Sequence, residues 1–344
     1  MADYFYLLIL FDQQQWRRPL ALKALLKGRR TVSNLYAGLD YGLLSLYQLL
    51  PHLPAEKFEQ ALRQLVEAGL IAQQGRQARL TVAGQKAKVA ANKQLFLPQH
   101  YAGLKFQNSR EFIARLFLVT QASSELKKHN RHYFPLAVAW STQQAVKNWL
   151  RQQNVQTLVS QLHQEWHLLF ATLPQWQADY YSQFLLGHQV QPASTQQADH
   201  WFAWSSLTGE LVRQDTVHWF LQQVTAAPKQ FPLLTSLWQP LATGPLGTSA
   251  AQTMTLCQQG LSLAEISRQR RIKQNTLKEH LLEAAILLPD FPFDHYLTAP
   301  TRRQLTTIFA DQPLATWQFS QLAATDLSFF DYRLFQIQKR KVHD

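Results

Sequence analysis

The chain is poor in cysteine, in acid and in long apolar runs. Cys257 is the one cysteine among 344 residues, which excludes an internal disulfide and a cysteine-based zinc site. It lies in an apolar helical pattern, so a buried small hydrophobe is its expected state. Asp and Glu number 22 against 34 Lys and Arg, a net charge of +12 that favours an anionic partner such as nucleic acid or a membrane surface. The apolar run "YFYLLILF" is too short to span a bilayer, and Asp3 stands where a signal peptide carries cations. The expectation is a soluble, cytoplasmic protein that does not enter a membrane. Apolar residues make up 46% of the chain and include 10 Trp, 11 Tyr and 20 Phe, ample material for a core, and the length allows two or three domains.

Signatures of catalysis are missing too. "GPLGTS" (244–249) has glycines and hydroxyls but no Lys before its Thr. It therefore lacks the cation that neutralises phosphate in a P-loop, and reads as a linker. "HQEWH" places His163 and His167 on one helix face. A zinc-hydrolase helix carries its general base directly after the first His. Gln164 holds that place, Glu165 is turned away, and no third ligand is evident. "HNRH" (129–132) reads as an exposed polar turn before Tyr133 and Phe134. With no nucleophile elbow, paired carboxylates or dinucleotide fingerprint, the expectation is a protein that is not an enzyme and uses no cofactor or metal.

What the chain does carry is helical periodicity and unevenly spread charge. Residues 1–93 hold 13 basic and 6 acidic side chains, residues 94–247 hold 10 and 7, and residues 248–344 hold 11 and 9. The pattern predicts a mainly α protein of three domains. Residues 1–93 are expected to form a helical domain with a small β-hairpin, 94–243 a helical middle domain, and 244–344 a third helical domain. The motifs below make the first resemble a winged helix-turn-helix and the last a helix-turn-helix followed by C-terminal helices.

In the first domain "RRPLALKALLKG" reads as a helix ending at Gly28, and "LYAGLDYGLLSLYQLL" as a second. "PAEKFEQALRQLVEAGLI" makes a third, placing Phe58, Leu62, Leu65 and Val66 on one face. "AQQGRQARLTVAG" reads as a hairpin turning at Gly75, with Leu80 and Val82 inward and Gly84 ending the strand. Helices, hairpin and the closing "L-T-x-x-G" resemble a winged helix domain. That resemblance makes the third helix the groove reader, showing Lys57, Gln60, Arg63 and Gln64, with Arg76 and Arg79 of the wing near phosphate. Keeping a packed or protein-docking domain soluble is the alternative use of these charges.

In the last domain "TSAAQTMTLCQQG" makes a helix with Met254, Leu256 and Cys257 inward. Ser262 and Glu265 form a capping box worth about 1 kcal/mol, and Thr276 with Glu279 offers a second. Leu277, Leu281, Ala284 and Leu288 line the inner face of the last helix, which Pro289 ends. This spacing is similar to DNA-binding helix-turn-helix segments, in which a glycine usually occupies the tight turn where Arg271 stands. Arg271, Lys273, Gln274, Asn275 and Lys278 are the candidate DNA contacts.

A longer resemblance takes in "QTMTLCQQGLSLAEISRQRRIKQNTLKEHLLEA", "LLPDFPFDHYL" and "DLSFFDYRLFQI". Together they look like the helicase-associated helix-turn-helix domain found at the C-terminus of many bacterial RecQ-type helicases. Gly260, Ser262, Glu265, Ile266, Arg270, Thr276 and His280 match its pattern, and Ser267, Ile272 and Leu277 replace theirs conservatively. The chain has no Walker A lysine and no DEAH-type motif. "KGRRTVSNLYAGLDYGLLSLYQLLP" resembles the stand-alone YpbB-type partners of such helicases. The resemblance implies an accessory factor with DNA and a RecQ-type helicase as partners, acting in DNA repair or recombination. A sequence-specific transcription regulator and a docking scaffold without DNA contact are the alternatives.

Overall fold

Prolines and caps cut the chain into many short helices. The computed structural model describes residues 3–342, the side chain of Val155 excepted. A 3₁₀ segment (Asp3–Leu10) precedes α1 (Pro19–Leu26) and α2 (Val32–Asp40). Then come α3 (Ala55–Glu67), the hairpin β1 (Ile71–Gln74) and β2 (Gln77–Leu80), and α4 (Val82–Asn92). The middle is α5 (Ser109–Lys127), α6 (Trp140–Arg151), α7 (Val155–Ala171), α8 (Gln175–Ser182), α9 (Thr195–Trp201), α10 (Ser206–Ala226) and α11 (Pro232–Trp238). The chain ends with α12 (Thr248–Gln258), α13 (Leu263–Arg270), α14 (Gln274–Leu287), α15 (Phe293–Tyr296), α16 (Ala299–Phe309) and α17 (Phe329–Val342). The protein is mainly helical, and among the described residues the hairpin is the one sheet.

These elements gather into two compact units, neither continuous in sequence. The first comprises the chain up to Arg17 together with Pro54–Thr243, and the second Arg18–Leu53 together with Gly244 onward. The grouping differs from the expected one. α1 and α2, read as part of a winged domain over residues 1–93, group instead with the C-terminal helices, α2 packing on α14 and α17 and α1 on α2.

In the first unit α3 buries Phe58 and Leu65 against the 3₁₀ segment and β1. Gln74 pairs with Gln77, so Gly75 and Arg76 make a two-residue turn. Arg17 and Ala78 exchange backbone hydrogen bonds of 2.9 and 2.8 Å, adding a rung beside β2. The strand stops earlier than expected. Val82 does not alternate inward but opens α4, where it is exposed. Thr81 caps this helix, its Oγ1 accepting the Gly84 N–H at 3.0 Å and donating to the Gly69 carbonyl at 2.7 Å. A Cβ at Gly84 would collide with the Leu70 carbonyl. The "L-T-x-x-G" signal therefore records a helix start pressed against backbone.

α5 runs through the centre of the same unit, packed on α6, α7, α10 and α11. Phe112, Leu116, Tyr180, Phe220 and Trp238 anchor the core, with Phe112 edge-on to Trp238 at 5.8 Å. Its buried polar groups hold backbone in place. Both oxygens of Glu165 accept the first-turn N–H groups of Leu233 and Leu234 at 2.9 Å, while His163 and His167 on the same helix are exposed. The acid of "HQEWH" thus anchors the start of α11. Asp215 accepts the His100 and Tyr101 N–H groups at 2.6 and 2.9 Å. One turn on, His218 Nδ1 accepts the Ala102 N–H at 2.9 Å, and its Nε2 lies 3.1 Å from Ser109 Oγ. Burial pushes the His218 imidazole down to about 3.

In the second unit α2 packs on α1, α14 and α17. Asp40 pairs with Arg340, and the Arg333 guanidinium lies 4.0 Å from the centre of the Tyr36 ring. Burial drives the Tyr36 hydroxyl up to about 12. Glu283 on α14 accepts from Arg30 Nε at 2.8 Å and from the Gly247 N–H at 2.7 Å. The helix expected to run on past Asp40 ends there, where Gly42 takes a φ of +65° and a 3₁₀ turn (Leu44–Leu46) follows.

Candidate nucleic-acid interface

α12, α13 and α14 form the three-helix core of a helix-turn-helix. The Ser262 box is present: Ser262 Oγ accepts the Glu265 N–H at 3.3 Å, and Glu265 Oε2 accepts the Ser262 N–H at 2.8 Å. Ile266 of α13 is fully buried. Helix α13 then turns at Arg271, whose backbone is left-handed at φ 53° and ψ 41°. The geometry that favours glycine is therefore built with arginine, at a strain of about 1–2 kcal/mol. Ser267 spans the turn, its Oγ donating to the Ile272 carbonyl at 2.6 Å.

This closure sets the start of α14 at Gln274, with Lys273 as an N-cap that offers no side-chain bond. The expected Thr276–Glu279 box does not form, because Thr276 already lies within the helix. Leu277, Leu281 and Ala284 are buried as the stripe predicts. Leu288 is half-buried and caps the end. On α12 Met254 is buried, whereas Leu256 and Cys257 are only half-buried.

Two residues of the motif meet at one hydroxyl. Arg270 donates to Thr253 Oγ1, to the Ser249 carbonyl at 2.8 Å and to Gln252 Oε1 at 3.0 Å. His280 Nδ1 lies 2.8 Å from the same Thr253 Oγ1. Burial and then the Arg270 charge hold the imidazole below its ordinary range. Arg270 and His280 thereby lock α13 and α14 onto α12. Their place in the pattern is structural.

The candidate contacts divide between the two units. Arg271, Lys273, Gln274 and Asn275 are exposed along the turn and the first turn of α14. Lys278 is half-buried, its Nζ 5.7 Å from the centre of the Phe330 ring. Lys57, Gln60, Arg63 and Gln64 lie exposed on α3, in the other unit. Arg76 is exposed at the hairpin turn, while Arg79 is half-buried with its guanidinium 4.6 Å from the centre of the Trp16 ring. With α1 and α2 grouped elsewhere, the unit that holds α3 does not contain the two helices expected to precede it in a winged fold.

Charge is also redistributed by the fold. The second unit holds 16 basic and 10 acidic residues, and the first 18 and 12. Residues 248–344 alone are nearly balanced, but "KGRR" and its neighbours join them. Exposed Arg18 and Arg29 thus belong to the helix-turn-helix unit. Their signal in the sequence was the basic N-terminal block, without the knowledge of where it packs.

The chain matches no curated protein and no solved structure. Residues 249–336, spanning α12 to α17, match the family model of a helix-turn-helix domain.

Proposed function

We propose that the chain is a non-enzymatic DNA-binding accessory factor of a RecQ-type helicase, gripping DNA at the turn and first turn of α14. One observation carries the DNA reading. Arg271, Lys273, Gln274 and Asn275 lie together, exposed, at the positive end of a 14-residue helix. Arg and Lys neutralise phosphates there, and Gln and Asn amides suit base edges. Arg18 and Arg29 add cations to the same unit. On the other unit Lys57, Gln60, Arg63, Gln64, Arg76 and Arg79 form a separate contact surface in this reading.

The helicase partnership, and with it a role in repair or recombination, rests on the resemblance. Both stretches that carry it, 27–51 and 252–337, lie in the second unit, which supports treating them as one module. The test uses the full chain, because a 248–344 fragment would leave α1 and α2 behind. Fluorescence anisotropy across a salt series is expected to show salt-sensitive binding to duplex or forked DNA, weakened by combined Arg271→Ala and Lys273→Ala. Binding that ignores salt, or no binding at all, overturns the DNA role. Co-purification is expected to recover the helicase. A scaffold without DNA contact is the second reading, favoured by the internal commitment of Arg30, Arg270, Arg333 and Arg340. It predicts helicase capture by a protein that ignores DNA. A transcription regulator would instead discriminate strongly between duplex sequences.

A further inference from the structure

The first unit contains a stretch of one charge sign, beside which Glu111 of α5 accepts from Thr142 Oγ1 and pairs with Arg115. Between Glu125 and Glu165 there is no acidic residue, yet this stretch contains Lys127, Lys128, Arg131, Lys147 and Arg151. All five are exposed. Glu125 is held inward, with Oε2 accepting from Asn130 at 2.6 Å and lying 2.8 Å from His188 Nδ1, so its one charge leaves the five exposed cations in excess. Exposed His129 and His132 lie in the same segment.

Exposed aromatics are interleaved with these cations. Residues 130–139, between α5 and α6, form a strap without regular secondary structure. Phe134 on it is 97% exposed, and Trp140 at the start of α6 is 74% exposed. The strap is pinned rather than loose. The buried side chain of Gln121 donates to the Phe134 carbonyl at 2.9 Å and accepts the Leu136 N–H at 2.8 Å. The His132 N–H is held by Asn130 Oδ1 at 3.0 Å. Backbone on both sides of the Phe134 ring is thus fixed while the ring stands in water, an arrangement that core packing does not require.

We propose that this strap is a binding surface for single-stranded nucleic acid, with Phe134 and Trp140 stacking on unpaired bases and Lys127, Lys128 and Arg131 neutralising phosphates. Single strands present both a polyanionic backbone and free base faces, whereas a duplex hides its faces in the stack. An anionic lipid surface fits less well. Beyond Trp140 the exposed residues of α6 are polar, including Ser141, Lys147, Asn148 and Arg151, so no apolar helix face continues into which a bilayer could be drawn. The six residue steps from Phe134 to Trp140 reach at most about 22 Å, a span that a strand of a few nucleotides covers. The proposal stands whether or not α14 reads duplex DNA.

The test is anisotropy of a labelled 20-mer of deoxythymidine titrated with the full chain. Phe134→Ala removes no packing, so its melting curve is expected to match that of the parent. Its affinity for the oligomer is expected to fall about tenfold, with Phe134→Tyr within about twofold of the parent. Combined Lys127→Gln, Lys128→Gln and Arg131→Gln is expected to lower the slope of log affinity against log salt by about 2. Duplex binding is expected to be unchanged by Phe134→Ala, which separates this surface from α14. No binding of the oligomer at low salt overturns the proposal, as does an unchanged affinity in Phe134→Ala. Displacement of the oligomer by phosphatidylserine vesicles at matched charge assigns the strap to lipid and equally overturns it.

Discussion

Arg271→Gly should make the protein more stable and a weaker DNA binder at the same time. Arg271 closes the turn between α13 and α14 in a left-handed conformation at φ 53°. An L-residue pays about 1–2 kcal/mol for that backbone, and glycine removes the strain. Glycine also gives the unfolded chain more freedom, which takes back about 0.5–1 kcal/mol. The net gain is therefore about 0.5–1 kcal/mol, or roughly 1–4 °C in melting temperature for a unit of this size. Arg271→Ala is the control, because it removes the same charge but keeps the strained backbone. Its stability should stay within about 0.5 kcal/mol of the parent, exposed sites being tolerant. If Arg271 lies on phosphate, both variants should lose about 0.9 from the slope of log affinity against log salt. The assays are thermal melts followed by circular dichroism, and anisotropy with duplex DNA. Equal melting temperatures for the two variants would refute the left-handed turn, and unchanged salt slopes in both would remove Arg271 from the interface.

Glu283→Ala should destabilise the second unit by about 2–3 kcal/mol in chemical denaturation, because it removes the carboxylate paired with Arg30 and the acceptor of the Gly247 N–H. A loss below about 0.5 kcal/mol would show that α1 and α2 are held without this pair. His218 gives the first unit a pH dependence. Its imidazole is neutral when buried, so the unfolded chain binds a proton below 6.5 that the folded chain takes up only near 3. The stability it confers is complete above 6.5 and is lost as the pH falls toward the lower value. Two units of acidification should cost about 3 kcal/mol, and His218→Gln should remove most of that slope. Asp215, raised by burial, titrates in the opposite sense and stays in both proteins. Gly84→Ala should cost about 2–4 kcal/mol, since its Cβ meets the Leu70 carbonyl. Hydrogen exchange should show the loosening first in β2 and α4, and unchanged protection there would refute the close approach.

Local chemistry was legible along the chain. The Leu277–Leu281–Ala284 stripe, the Ser262–Glu265 box and the hairpin turn at Gly75 each depend on neighbours within a few residues. Their side-chain types and spacing fix them. Signals that need a start point were less secure. Thr276–Glu279 has the spacing of a box, but the Ser267–Ile272 closure begins α14 at Gln274 and leaves Thr276 inside the helix. Val82 alternates as a strand residue should, yet Thr81 caps a helix there because Gly84 can lie against backbone.

Long-range partnership was not legible. Asp40 and Arg340 stand 300 residues apart, and periodicity tells only that α2 has a face to bury, not against what. Arg270 and His280 read as part of a DNA-binding pattern, whereas Thr253 makes them ties between helices. Phe134 and its cations read as a polar turn, because only the fold leaves the ring in water. The sequence by itself determined which segments are helical, where they cap and how much positive charge the chain carries. Tertiary structure decided which helices share a unit, and so joined Arg18, Lys23, Lys27, Arg29 and Arg30 of the basic N-terminal block to the helix-turn-helix while the rest of that block stays in the first unit. Burial and ion pairing between distant segments depend on three-dimensional approach, which no local spacing encodes.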